Sequence, residues 1–96
     1  MKKYRIHLTD DEYNVLQHIT RKTHIDEWFL LDTDSEGYDC VRNLETGRKI
    51  TLRTGVKWLC DGVDWMKAED WDILGVTEHE LEIFYNLCVN RLGLKL

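Results

Sequence analysis

Proline is absent from this chain of 96 residues, and no stretch is rich in glycine or serine, so nothing marks a linker between domains. Residues 1–96 therefore read as a single compact domain. Long apolar runs are missing as well, and none approaches the ~18 residues of a membrane span. The N-terminal MKKYRIHL has no apolar stretch behind its lysines and no small-residue cleavage site. A signal peptide is therefore not expected, and the cytoplasm is the expected compartment. Cysteine is sparse: Cys40, Cys60 and Cys88 are widely spaced with no C-x-x-C pair, which fits reduced thiols better than a disulfide framework.

Positive charge is also in short supply. The net charge of -5 argues against a generic nucleic-acid binder, because phosphate neutralisation needs clustered Lys and Arg. The distribution is uneven. Residues 40–58 hold Arg42, Arg48, Lys49, Arg53 and Lys57 against Glu45. Residues 61–82 hold Asp61, Asp64, Glu69, Asp70, Asp72, Glu78, Glu80 and Glu82 against Lys67. A basic middle and an acidic third quarter are both candidate docking surfaces.

What is present specifies elements. Tyr4, Ile6 and Leu8 alternate with Lys3, Arg5 and His7, the period of a half-buried strand. Thr9 with Glu12 forms a capping box that starts a helix at Asp10, with Val15, Leu16 and Ile19 on its apolar arc. EWFLLD, YDCVRNL and RKITLR read as strands, the last two joined by the three-residue turn ETG with Gly47 left-handed. That turn pairs Leu44 with Arg48, Arg42 with Ile50 and Cys40 with Leu52 on a face directed at the core. TGVKWLCDG reads as a helical turn or two capped by Thr54 and stopped by Gly62, and VDWMKAEDWDILG as a short helix. Thr77 with Glu80 repeats the capping box, and the helix it opens stops at Gly93. The expected fold is α+β: a small, mainly antiparallel sheet in a β-α-β-β-β meander, with C-terminal helices packed on one face.

LTDDEYNVLQHI and VTEHELEIFYNL echo one another at Leu8/Val76, Thr9/Thr77, Glu12/Glu80, Tyr13/Leu81 and Leu16/Phe84. These are capping and core positions, so the echo is the grammar of a helix start and not a repeated functional unit. The first stretch resembles the opening helix of helix-turn-helix DNA-binding domains. That resemblance implies a short turn and a second, recognition helix, whereas the chain continues with the strand-like THIDEWFLLD.

Signatures of chemistry are few. DTDSEG, residues 32–37, matches the first half of an EF-hand loop, but Asp39 and Asn43 stand where the eighth and twelfth positions need an apolar residue and a bidentate glutamate. A polar hairpin loop is the expectation. No Cys or His pair has zinc-ligand spacing, and Cys40 and Cys88 read as core thiols. His7, His18, His24 and His79 have no context that marks a base for a thiol nucleophile, and no phosphate-cradling glycine loop occurs. No catalytic residue, metal or cofactor is therefore expected.

Four tryptophans are the compositional anomaly. Trp28 and Trp58 sit in segments that read as core. Trp65 and Trp71 each follow an aspartate in the acidic region, where they either anchor a loop to the body or form an exposed aromatic and acidic patch. The second alternative makes Asp64, Trp65, Glu69, Asp70, Trp71 and Asp72 a partner-binding surface complementary to a basic groove, such as that of a larger protein that handles nucleic acid. Small acidic domains without motifs are similar in general type to the inhibitors carried by phages and mobile elements, including anti-CRISPR proteins. The alternative function is a nucleic-acid-binding module using the basic hairpin of Arg42, Arg48, Lys49 and Arg53.

Overall fold

The computed structural model describes residues 5–23, 28–62 and 68–95. Helix α1 (Asp10–Lys22) is followed by strands β1 (Phe29–Thr33), β2 (Asp39–Asn43) and β3 (Lys49–Thr51), then by helices α2 (Leu52–Asp61), α3 (Ala68–Leu74) and α4 (Glu78–Asn86), and a π-helical turn (Leu87–Arg91). The strands form one antiparallel sheet in the order β1-β2-β3. The fold is α+β, as its sequence pattern predicts.

The expected first strand is an arm instead. Residues 5–9 carry no strand, and Tyr4 lies outside the described residues. Ile6 accepts one backbone hydrogen bond, from Asp39 N–H at 3.1 Å, and the Leu8 N–H donates to the Asp39 carboxylate at 2.6 Å. Tyr38 holds the rest of the arm, with the His7 ring stacked on it at 4.8 Å and the Arg5 guanidinium 4.5 Å from its centroid. Side chains thus replace the ladder that the alternation of residues 4–8 implied.

The β2–β3 register differs from expectation by one residue. Asn43 closes a four-residue loop: its N–H donates to Arg48 O, its carbonyl accepts from Gly47 N–H, and its Oδ1 accepts from the N–H groups of Glu45 and Thr46. Gly47 keeps the expected left-handed conformation at φ 73°. The extra loop residue pairs Val41 with Ile50, Arg42 with Lys49 and Cys40 with Thr51, and a slip of one exchanges the two faces. Val41 and Ile50 therefore pack on the core, while Cys40 and Arg42 belong to the opposite face of the sheet.

Among the described residues, the helices pack on the Val41 side. Val15, Leu16 and Ile19 of α1, Leu52, Val56 and Leu59 of α2, Trp71 of α3 and Phe84 of α4 are buried with Phe29 and Val41 in one cluster. α2 starts three residues earlier than expected: Thr51 is its N-cap, and the Thr51 hydroxyl accepts from Thr54 N–H. Gly55 faces β2 so closely that a Cβ there would run into Val41 Cγ2. The last helix is capped by Thr77 as expected, and Gly93 follows its π-helical end at φ 69°.

Both capping boxes form, and each does a second job. Glu12 accepts from Thr9 N–H at 2.9 Å and also pairs with Arg91, whose other nitrogen donates to His7 O at 3.2 Å. Glu80 accepts from Thr77 N–H at 3.1 Å, and its second oxygen lies 2.6 Å from His18 Nδ1. Each box glutamate therefore ties its helix start to the far end of the other helical segment, α1 to the π turn and α4 to α1. The echo in the sequence encodes a reciprocal clasp as well as two caps.

The clasp gives a dependence on pH. Partial burial opposes ionisation of Glu80, but the hydrogen bonds from His18 and Thr77, with the charge of His18, outweigh it and hold the carboxyl below its usual range. A lowered folded-state value stabilises the fold above the ordinary glutamate value of about 4.3, and that contribution fades as pH falls through the lowered value. Glu80→Gln keeps a box residue and removes the charge. It is expected to cost up to about 1 kcal/mol at pH 7, with the difference from wild type shrinking in urea melts as pH falls through the acid range. A gap of constant size across that range would exclude the Glu80 charge as its source.

Candidate functional site

Of the residues expected to form an acidic aromatic patch, Trp71 is withdrawn into the core. Asp64, Trp65 and the side chain of Asp70 lie outside the described residues. Trp71 is 2% exposed and belongs to the core, so it anchors α3 to the body and cannot meet a partner. An adjacent aspartate says little about a helical residue, because neighbours along a helix point about 100° apart. Glu69, Asp72 and Ile73 are exposed on α3, Ile73 at 83%.

α4 carries exposed residues of its own. Glu78, Leu81, Glu82 and Tyr85 share one face at helical spacing and line an open depression of about 400 Å³. Tyr85 is half exposed, so the apolar arc of this helix is narrower than its sequence implies. Glu78 and Glu82 repel one another at i,i+4, at a cost of a few tenths of a kcal/mol. Several acids elsewhere are engaged, Glu12 with Arg91, Asp32 with Arg42 and Lys49, Glu36 with Arg5, Asp61 with Lys57 and Glu80 with His18, whereas Asp10, Asp11 and Glu45 have no cation partner among the described residues. Among the described residues, no cation pairs with Glu69, Asp72, Glu78 or Glu82.

No family model, curated protein or solved structure matches this chain. The site therefore rests on its own geometry.

A second exposed surface was not legible as one. Trp28 and Trp58, expected in the core, are 48% and 50% exposed. The Trp58 ring packs against Phe29 at 5.7 Å and leaves its other side to solvent. Leu44 N–H donates to Trp28 O, continuing the ladder in which Leu30 opposes Arg42 and Arg42 opposes Lys49. Trp28, Leu30 and Leu44 thus share the uncovered face of the sheet with these two cations, all three at least two-fifths exposed. The alternation from buried Phe29 was the signal that could have found Trp28 and Leu30 on this side.

The proposed basic hairpin is divided. Arg42 and Lys49 are directly opposed, and Asp32 lies between them, accepting from Arg42 Nε at 3.1 Å with Lys49 Nζ 3.9 Å away. The Thr33 N–H, with the charges of Lys49 and Arg42, keeps the Asp32 carboxyl below its usual range despite partial desolvation. Arg48 is exposed at the end of the turn, whereas Arg53 is in the first turn of α2 and lines a separate depression with Lys57 and Lys95. Cys40 is buried beneath this charged face and does not point into the main core; burial and the negative charge of Asp32 push its thiol up.

The acids of DTDSEG each have another task. Asp32 serves the cations, the Asp34 carboxylate accepts from Glu36 and Tyr38 N–H, and Glu36 pairs with Arg5. Gly37, at φ 90°, turns the chain into β2. The segment is the hairpin loop its composition describes.

Proposed function

We propose that this domain is a non-enzymatic acidic binding protein that covers a basic, nucleic-acid-handling surface of a larger protein, in the manner of inhibitors carried by phages and mobile elements such as anti-CRISPR proteins. The observation that carries this reading is the flank of α3 and α4. Four acids without a cation partner among the described residues are arranged with exposed apolar side chains, Glu69 and Asp72 on the same helix as Ile73, and Glu78 and Glu82 on the same helix face as Tyr85. Apolar anchors within a rim of one charge are suited to a basic groove: the rim speeds and orients encounter, and the anchors hold the complex.

Capture from lysate of the organism that encodes the chain, with nuclease treatment, is the test. Ile73→Ala is expected to weaken the captured complex by about 1–2 kcal/mol, roughly five- to thirtyfold. The double reversal Glu78→Lys and Glu82→Lys is expected mainly to slow association and to flatten its salt dependence. Both changes are at exposed positions, so melts should match wild type. Unaltered binding by both variants would remove α3 and α4 from the interface.

A second reading is favoured by the sheet face. A half-exposed tryptophan beside two cations is the arrangement on which single-stranded nucleic acid stacks and neutralises its phosphates. Salt-dependent binding of a plain oligonucleotide, lost in Trp28→Ala and in Arg42→Ala, would select this reading over the first.

A further inference from the structure

The thiols of Cys60 on α2 and Cys88 in the π-helical turn meet in the core, Sγ to Sγ at 3.6 Å. Cys40 is not part of this contact and lies on the far side of the sheet. Cys60 also forms part of the wall of a surface depression of about 240 Å³, with Arg53, Lys57, Asp61 and Lys95 around it. Cys88 is fully buried behind it. The pair therefore has an outer and an inner sulfur.

We propose that Cys60 and Cys88 are a reversible oxidation site, converted to an internal disulfide by hydrogen peroxide that enters through this depression. Cys60 reacts first, as its thiolate. Its sulfur attacks one peroxide oxygen, an S–O bond forms as the O–O bond breaks, and the departing hydroxide leaves as water with the thiol proton. Cys60 is oxidised to the sulfenic acid and the peroxide is reduced. The Cys88 sulfur then attacks that of Cys60: an S–S bond forms, the S–O bond breaks, and the hydroxyl departs with the Cys88 proton as a second water. Two thiols and one peroxide give one disulfide and two waters.

The assignment of order has two supports. Access is from the Cys60 side, and the hydrogen bond shared with Cys60, together with burial, pushes the Cys88 thiol up, which suits it to wait protonated as the resolving group. Closing to the ~2.05 Å of a disulfide needs a shift of about 1.5 Å. Cys88 is in the irregular part of its helix, a π turn followed by Gly93, where such an adjustment has the least regular hydrogen bonding to disturb. The bond would fix α2 to the turn whose Arg91 clasps Glu12 and the N-terminal arm.

Hydrogen peroxide, followed by alkylation in denaturant and mass spectrometry, decides the matter. The alkylatable thiols are expected to fall from three to one, with loss of two hydrogen masses, a Cys60–Cys88 linked peptide in a non-reducing digest, and full reversal by dithiothreitol. Cys40→Ser should still form the link, and Cys88→Ser should stop at a Cys60 sulfenic acid that dimedone traps. Three surviving thiols in oxidised wild type, a link through Cys40, or links only between chains would overturn the proposal without reliance on any variant folding.

Discussion

Trp71→Ala is expected to destabilise the fold by about 3–5 kcal/mol, the range for removing a fully buried large aromatic. Trp71 is among the largest completely buried side chains and shares its cluster with Leu16, Leu59 and Phe84. Its loss removes several dispersion contacts and leaves a cavity that the seven-residue α3 has little means to fill. For a domain of this size the midpoint of a thermal melt should fall by about 12 °C or more. Trp71→Phe should recover most of the loss. A melt of the alanine variant that matches wild type would return Trp71 to the surface, and with it the acidic aromatic patch in its original form.

Gly55→Ala is expected to reverse the usual sign. In a helix interior alanine is better than glycine by about 1 kcal/mol, yet here the added methyl meets Val41 Cγ2 on the central strand. Overpacking of a tight contact costs about 1–3 kcal/mol, so the alanine should lose stability in spite of its propensity. Gly55→Val, with a branched side chain to fit, should lose about 3 kcal/mol or more. The cause is checked by pairing Gly55→Ala with Val41→Ala, which makes room on the strand. The double variant should be more stable than the sum of the two losses, by about 1 kcal/mol or more. A stabilising Gly55→Ala would show that α2 does not sit on β2 at this distance.

Both predictions depend on packing that the sequence conveys unevenly. The starts of α1 and α4 were legible because a capping box is a contact over three residues, and Thr9 with Glu12 and Thr77 with Glu80 form as expected, whereas α2, which has no box, was placed three residues late. The sheet was legible in type but not in register, because the loop length turns on the Asn43 side chain, which accepts from Glu45 and Thr46. The tryptophans were misread for a related reason. Once α2 is known to begin at Leu52, its buried positions Leu52, Val56 and Leu59 leave Trp58 two residues and 200° past Val56, on the outside. Composition alone cannot supply that phase. Long-range partners were the least legible, since neither the Glu12–Arg91 pair nor the Cys60–Cys88 contact has a local signature.

The acidic flank was legible as charge and not as a surface. Residues 61–82 announced the acids, but Ile73 as its apolar anchor emerges only because Trp71 turns inward and takes the buried face of α3. Amide hydrogen exchange on the nuclease-treated, captured complex tests the binding account most directly. Protection gained on residues 68–86, with β1, β2 and β3 unchanged, is the predicted result; protection confined to residues 28–49 would contradict it and transfer the function to the open face of the sheet.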